Sequence, residues 1–118
     1  MDVRIETGRL GEDAAERWYA GRGYRLLARN WRCRLGELDL VLARGDTVVV
    51  CEVKARRGSR YGGGWEAVHA RKRAKIRSLA EAFLLARDLR PRSVRFDVAS
   101  VAVGADASVR LHVFQDAF

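Results

Sequence analysis

Two strongly β-prone runs, separated by a three-residue turn, restrict this chain more than any other feature. Residues 37–43 and 47–53 are rich in branched apolar side chains, and Arg44-Gly45-Asp46 between them has the composition of a turn. The pattern predicts a β-hairpin. Charged groups in such apolar strands are costly unless they are paired or functional, so the charged residues within them are the first candidates for a site.

Asp39, Glu52 and Lys54 are the central charged groups of this hairpin. Because side chains alternate along a strand, Glu52 and Lys54 are predicted to share one face, and Glu37 and Asp39 to share a face of the neighbouring strand. The short turn brings Asp39 near Glu52, while the exact strand register is left open. Two acids and an amine at one end of an apolar sheet suit a metal-dependent phosphodiesterase. The alternative is an ordinary ion pair between Glu52 and Lys54 on a solvated face.

The predicted chemistry follows from these residue types. Protein sites for Mg²⁺ typically use one or two carboxylates together with waters and a phosphate oxygen, so we predict that Asp39 and Glu52 bind Mg²⁺ or Mn²⁺. A bound metal ion polarises the scissile phosphate and lowers the pKa of a coordinated water. Lys54, two residues from a predicted ligand, is expected to orient that water or to stabilise charge that develops on the phosphate.

One segment carries the whole formal net charge of +8. Nine basic residues and one acid, Glu66, lie from Lys54 to Arg77, whereas the rest of the chain has fourteen basic and fourteen acidic residues. A basic segment beside a candidate metal site indicates a polyanionic partner, for which nucleic acid is the first candidate. An arginine-rich solvated surface is the alternative. The residues predicted to contact nucleic acid are Arg56, Arg57, Arg60, Arg71, Lys72, Arg73 and Lys75.

Hydrophobic periodicity predicts two helices and five strands. The helices are predicted at residues 10–21 and 65–87. The strands are predicted at residues 24–31, 37–43, 47–53, 94–103 and 109–114. This order predicts an α/β fold with a mixed five-stranded sheet flanked by helices, in a single domain spanning residues 1–118.

Composition excludes several classes of protein. An apolar content of 48% with one proline is typical of a compact globule. No apolar run approaches the length of a membrane span, and no apolar stretch follows the first residues, so we expect neither a membrane partner nor a secretory signal. Cys33 and Cys51 lack zinc-ligand spacing, and a reduced, cytoplasmic protein is expected.

The chain resembles the small bacterial family UPF0102 and, more broadly, the PD-(D/E)xK nuclease superfamily. The matching motifs cover nearly the whole chain in the right order. They are Gly11-Glu12-Asp13-x-Ala15, Gly23-Tyr24, Arg29-Asn30, Gly36-Glu37-Leu38-Asp39-Leu40, Cys51-Glu52-Val53-Lys54-x-Arg56, Tyr61-Gly62, Lys72, Arg95-Phe96-Asp97-Val98 and Asp116-Ala117-Phe118. Leu38 stands where the superfamily usually has a proline before its first Asp; this departure is typical of UPF0102 and is compatible with the expected metal binding.

The resemblance implies a restriction-endonuclease-like fold and a nuclease-like protein, since UPF0102 itself has no established function. Archaeal Holliday-junction resolvases are similar relatives, and Gly8-x-x-x-Glu12 followed by Gly23-Tyr24 reproduces the spacing of their first motif. By this analogy Glu12 joins the two hairpin acids around the metal, with Lys54 as the catalytic amine. The same analogy implies a homodimer, because a resolvase cuts opposed strands with two active sites.

Three functions are consistent with these residues. The first is a metal-dependent endonuclease that hydrolyses phosphodiester bonds in DNA, with branched or structured DNA as the substrate. The second is a non-catalytic nucleic-acid-binding module that retains the nuclease fold. The third is an accessory protein whose basic face binds an acidic partner. Two further acids are assigned separately: Glu37 is either a second ligand or the partner of an arginine, and Asp97 is predicted to form a structural ion pair.

Overall fold

A five-stranded mixed sheet with one helix packed on each face forms the protein in the computed structural model, which describes residues 2–58 and 70–118. The elements are α1 Val3–Ala20, β1 Arg25–Cys33, β2 Gly36–Arg44, β3 Thr47–Arg57, α2 Ala70–Ala86, β4 Ser93–Val103 and β5 Val109–Phe114. The strands lie in the order β1-β2-β3-β4-β5; β3 and β4 are parallel, and the other neighbours are antiparallel. The predicted α/β architecture is confirmed, and it is compatible with a restriction-endonuclease-like fold.

Several element ends differ from the predicted ones. Helix α1 begins at Val3 rather than at residue 10, because Asp2 caps it by accepting a hydrogen bond of 2.8 Å from the backbone N–H of Arg4. Val3 and Ile5 are exposed in its first turns, so no buried apolar stripe marked this part of the helix. Strand β3 continues past residue 53 to Arg57, since it pairs with β4 along its whole length. The predicted start of α2 before residue 70 lies outside the described residues.

Each face of the sheet has its own apolar core. Helix α1 packs on one face, where Ala15 and Tyr19 meet side chains of β2, β3 and β4, and helix α2 packs on the other. The buried residues of α2 lie at 76–83, so its cationic N-terminal end extends beyond the apolar contact. Neither helix within residues 2–58 and 70–118 is both long and apolar enough to cross a membrane.

Gly11 allows α1 to approach β3 closely. A Cβ at this position would lie 2.7 Å from Cβ of Ala55 and 3.3 Å from Cγ1 of Val53. We expect Gly11→Ala to lower the free energy of unfolding by about 1–3 kcal/mol, because the helix or the strand must shift. Gly8→Ala is the matched control: no atom lies within 4 Å of its Cβ position, so alanine should stabilise the helix by about 0.5–1 kcal/mol.

Urea unfolding of the two glycine variants measures this difference directly. A Gly11→Ala protein as stable as Gly8→Ala would show that the close approach of α1 to β3 is absent in solution.

Asp97 is a buried acid whose partners are all structural. Its carboxylate accepts a hydrogen bond of 2.6 Å from the Tyr19 hydroxyl, two of 2.9 Å from the Arg95 guanidinium, and one of 2.9 Å from the backbone N–H of Asp116. These contacts join α1, β4 and the segment after β5. The predicted structural ion pair of Asp97 with an arginine is therefore confirmed.

Removal of the Asp97 carboxylate should strongly destabilise the fold. We expect Asp97→Ala to lower the free energy of unfolding by about 3–5 kcal/mol, because the partly buried Arg95 guanidinium loses its carboxylate partner and the buried Tyr19 hydroxyl loses an acceptor. Arg90→Ala, which breaks an exposed pair with Asp88, should cost less than about 1 kcal/mol. Chemical denaturation of both variants gives the comparison, and similar losses would contradict the assignment.

Candidate active site

The side chains of β2 change face at Asp39. In a regular strand, residues two apart share a face, yet Leu38 packs in the cluster with α2 and Leu40 packs in the cluster with α1. Their partners on β1 change face in the same way. Trp31, opposite Leu38, packs against the α2 cluster, whereas Arg29, opposite Leu40, contacts acids of α1.

The change of face places the Asp39 carboxylate between β2 and β3. The regular pairing of these strands runs from their turn to Leu40 opposite Cys51. Beyond it, the backbone N–H of Val53 donates to Oδ2 of Asp39 at 2.8 Å, and the backbone N–H of Asp39 lies 3.5 Å from Oε2 of Glu52. At this point the side-chain carboxylates of Asp39 and Glu52, rather than backbone carbonyl groups, accept the hydrogen bonds between the two strands. The predicted proximity of Asp39 and Glu52 is confirmed.

Burial and mutual repulsion act on the two acids together. Glu52 is only 5% exposed, and burial followed by the negative charge of Asp39 raises its pKa from 4.5 to about 7. Burial likewise raises the pKa of Asp39, although the Val53 N–H opposes that shift. Adjacent buried carboxylates of this kind favour a proton or a cation between them.

Two amines lie beside the acids. Lys54 extends from β3, and Lys72, from the first turns of α2, lies within hydrogen-bonding reach of it. Burial, this contact and the positive charge of Lys72 together lower the pKa of Lys54. The positive charges of both amines partly oppose the rise in the pKa values of Asp39 and Glu52. Lys72, predicted as a nucleic-acid contact, is thus part of the candidate site itself.

Glu12 reaches the site from α1 and is held by β1. Oε1 of Glu12 accepts a hydrogen bond of 3.2 Å from the Asn30 amide and lies 3.3 Å from the Arg29 guanidinium. Burial is the main cause that raises its pKa, and the negative charge of Asp39 adds to it. Glu12 is therefore an electrostatic neighbour of Asp39, but its carboxylate is bound by groups of β1.

The predicted set of three metal-binding carboxylates is not assembled. Within residues 2–58 and 70–118, no three Asp, Glu, His or Cys side chains are grouped so that they can hold a metal ion. The residues that are brought together are Asp39 and Glu52. Two carboxylates fit the usual protein ligation of Mg²⁺, in which waters and a phosphate oxygen complete the coordination. Burial is the main cause that raises the pKa values of this pair, so a bound cation would offset the cost of their burial.

Comparison with known proteins identifies the family. The model of the uncharacterised protein family UPF0102 matches residues 11–101. The chain belongs to the UPF0102 family. A UPF0102 protein of Parafrankia sp. is 48% identical over 118 residues, with all of both chains covered, and one of Frankia alni is 50% identical, with 98% of that protein covered. A UPF0102 protein of Pelotomaculum thermopropionicum is 43% identical over 99% of this chain and 98% of its own.

The basic residues of this UPF0102 protein divide into different environments. Arg57 is held by α1, since its Nε donates to Oγ1 of Thr7 at 2.8 Å, whereas Arg56 and Arg71 are exposed. The guanidinium of Arg73 lies 5.8 Å from the Phe118 ring centre, and Lys75 packs against Gly36. Arg60 lies outside the described residues.

The sequence pattern did not determine the partner of Glu37, the side-chain alternation of β2 or the contacts of β1 with Glu12. Glu37 pairs with Arg32 at 2.7 Å, which favours the arginine-partner alternative over the ligand. The strand changes face between Leu38 and Leu40, so regular alternation does not determine the relative orientation of Glu37 and Asp39. The negative charge of Glu37 nevertheless contributes to the raised pKa of Asp39, after burial as the main cause. The contacts of Arg29 and Asn30 with Glu12 were also missed, although the Arg29-Asn30 motif marked their position.

The raised pKa of Glu52 predicts a pH dependence of stability in the metal-free protein. The folded state holds the proton up to about pH 7 while the unfolded chain releases it near 4.5, so stability should fall as the pH rises between these values and then level off. Glu52→Gln should remove this fall and be about 3 kcal/mol more stable than wild type at pH 8.

Urea unfolding in EDTA from pH 4.5 to pH 8 checks this prediction. Glu81→Gln, an exposed change on α2, is the matched control and should follow the wild-type profile. If wild type and Glu52→Gln showed parallel profiles, the Glu52 carboxyl would not be in the buried, acid-paired environment described.

Proposed function

We propose that this UPF0102 protein is a metal-dependent endonuclease that hydrolyses phosphodiester bonds in DNA. The observation that carries the proposal is the placement of two neighbouring carboxylates, Asp39 and Glu52, within the electrostatic influence of two neighbouring amines, Lys54 and Lys72. A buried group of this composition costs folding free energy, as the raised pKa values of the acids indicate. A function that requires both carboxylates and amines at one site would explain why the protein contains this costly group.

The acids would hold the metal ion. Asp39 and Glu52 are the residues that would bind Mg²⁺ or Mn²⁺, which would supply positive charge to the scissile phosphate and lower the pKa of the attacking water. The Val53 N–H fixes one oxygen of Asp39, so the carboxylate is oriented before any ligand arrives. Glu12 adds negative charge beside Asp39 and is the proposed outer carboxylate of the site.

The amines would bind the substrate phosphate. Lys54 lies on the strand that carries Glu52, and Lys72 approaches from α2, so a phosphate at the acids would receive hydrogen bonds from two elements. Positive groups held in place stabilise the charge that develops on phosphate oxygens in the transition state. The exposed Arg56 and Arg71 lie in the same basic segment and would contact the neighbouring backbone of the nucleic acid.

Branched or structured DNA is the proposed substrate, and a homodimer the proposed form. Both rest on the likeness of the first helix and Gly23-Tyr24 to the resolvase motif. A second candidate is a non-catalytic module that binds nucleic acid through the same basic segment. It is favoured by one observation, namely that no group of three metal-ligating side chains is present in the part of the chain that the structure describes.

A nuclease assay tests the proposed function. Labelled duplex, flap and four-way-junction DNA would be incubated with the protein in Mg²⁺, Mn²⁺ or EDTA. We expect metal-dependent cleavage that falls at least about 100-fold in Asp39→Asn and Lys54→Ala, because the first alters a ligand and the second removes transition-state charge stabilisation. Asp46→Asn, in the exposed turn of the same hairpin, is the control and should cleave like wild type.

Binding without cleavage in every metal would favour the non-catalytic module. If DNA binding is also absent at low salt, the proposed partner is wrong and an acidic partner protein becomes the better explanation.

Two neighbouring cations on α2 should affect different properties. We expect Lys72→Ala to lower kcat at least about tenfold with a smaller change in KM, because Lys72 lies at the acids. Arg71→Ala should instead weaken DNA affinity and reduce the salt dependence of binding, because Arg71 is exposed and contacts phosphate alone. Steady-state kinetics and salt titrations of binding separate the two, and identical profiles for both variants would contradict these roles.

A further inference from the structure

Asn30 has a backbone conformation that is unusual for its place in the fold. Its φ is 52°, in the left-handed region that non-glycine residues rarely adopt, and it lies in the middle of β1. The other described non-glycine residues with positive φ, namely Asp88, Ala107 and Asp116, lie in turns or bends. Strained conformations inside regular elements persist only where surrounding contacts enforce them, and they concentrate at functional sites.

The strand register places Asn30 opposite Asp39. Arg29 pairs with Leu40 and Trp31 pairs with Leu38, so Asn30 and Asp39 stand between these two pairs. This is the position at which both strands change face. A left-handed residue in a strand interrupts the alternation of side chains, as it does in a bulge. The left-handed conformation of Asn30 and the irregular orientation of Asp39 therefore belong to the same local irregularity in β1 and β2.

Contacts with α1 hold β1 in this conformation. The Asn30 amide donates to Oε1 of Glu12 at 3.2 Å. The adjacent Arg29 places its guanidinium 2.7 Å from Asp13 and 3.1 Å from Glu16 on the same helix. Asparagine tolerates the left-handed region better than branched residues do, because its short polar side chain can bond locally.

We infer that Asn30 is a positioning residue of the candidate active site: its left-handed backbone sets the change of face that turns the Asp39 carboxylate towards β3. The role of Asn30 in an active site rests on the proposed function, whereas its effect on the orientation of Asp39 rests on the β1–β2 register. Asn30 acts through Asp39, and its own amide is occupied by Glu12. A residue that disfavours positive φ at this position should move the carboxylate without removing it.

Three variants test the inference. Asn30→Val disfavours the left-handed conformation, Asn30→Gly permits it, and Asp88→Val places the same strain at a residue of equal φ after α2. The first readout is the hydrogen-exchange rate of the Val53 amide, which donates to Asp39. We expect at least about tenfold faster exchange in Asn30→Val, a near-wild-type rate in Asn30→Gly, and no local change in Asp88→Val.

The second readout is Mn²⁺ affinity, measured by calorimetry on the same folded proteins. We expect it to fall about tenfold or more in Asn30→Val and to stay near the wild-type value in Asn30→Gly and Asp88→Val. Val53 exchange in Asn30→Val that matches Asp88→Val would overturn the inference, whatever the metal result. If wild type binds no Mn²⁺ while Asn30→Val still exposes the Val53 amide, the positioning role stands and the metal-dependent function fails.

Discussion

The hydrogen bond from the Val53 backbone to the Asp39 carboxylate is the contact on which the candidate site depends. At 2.8 Å it replaces a ladder bond between β2 and β3 and fixes an acid between two strands that would otherwise close on each other. Because the Asp39 carboxylate accepts the hydrogen bond of the Val53 N–H, this backbone donor is not left unpaired where the regular pairing of β2 and β3 ends. The same bond brings Asp39 next to Glu52, and the mutual repulsion of the two acids follows from that placement.

The four charged groups at the site come from three elements, β2, β3 and α2, which all contribute to the apolar cluster on the α2 face of the sheet. Asp39 depends on β2 and Glu52 with Lys54 on β3, whereas Lys72 depends on the packing of α2 through residues 76–83. The apolar half of α2 therefore positions the amine that its cationic half carries. This arrangement explains why one helix has cations at one end and buried side chains at the other.

The sequence predicted most of the fold because its strands are long, apolar and separated by clear turns. It also placed Asp39 near Glu52, since a short turn fixes the approximate register of residues 37–53. The turn has two residues, Gly45 and Asp46, rather than the predicted three, because Arg44 pairs with Thr47. The sequence could not predict the change of face at Asp39, because alternation assumes a regular strand and the irregularity arises from contacts between Asn30 and α1. The position of Lys72 beside Lys54 was missed for a similar reason. Helical periodicity predicts which face of the helix a residue lies on, whereas the contact between Lys72 and Lys54 depends on tertiary packing. Arg57 was assigned to nucleic acid by charge alone, yet Thr7 of the longer α1 holds it.

Two buried acids on adjacent strands differ in the partners that surround them. Asp97 lies opposite Cys51 on the α1 face, fully buried, and accepts hydrogen bonds from Tyr19, Arg95 and a backbone N–H. Glu52 lies opposite Val98, one residue further along, and is nearly as buried. Its Oε2 accepts one long contact of 3.5 Å from the backbone N–H of Asp39, and the negative charge of Asp39 adds to burial in raising its pKa. Burial of a charge is tolerated when donors surround it, so Asp97 needs nothing further to account for it. Glu52 has one long backbone contact and the nearby charges of Lys54 and Lys72, and its pKa is still raised. Under the proposed function, a metal ion bound by Glu52 and Asp39 would add the compensation that these groups do not supply.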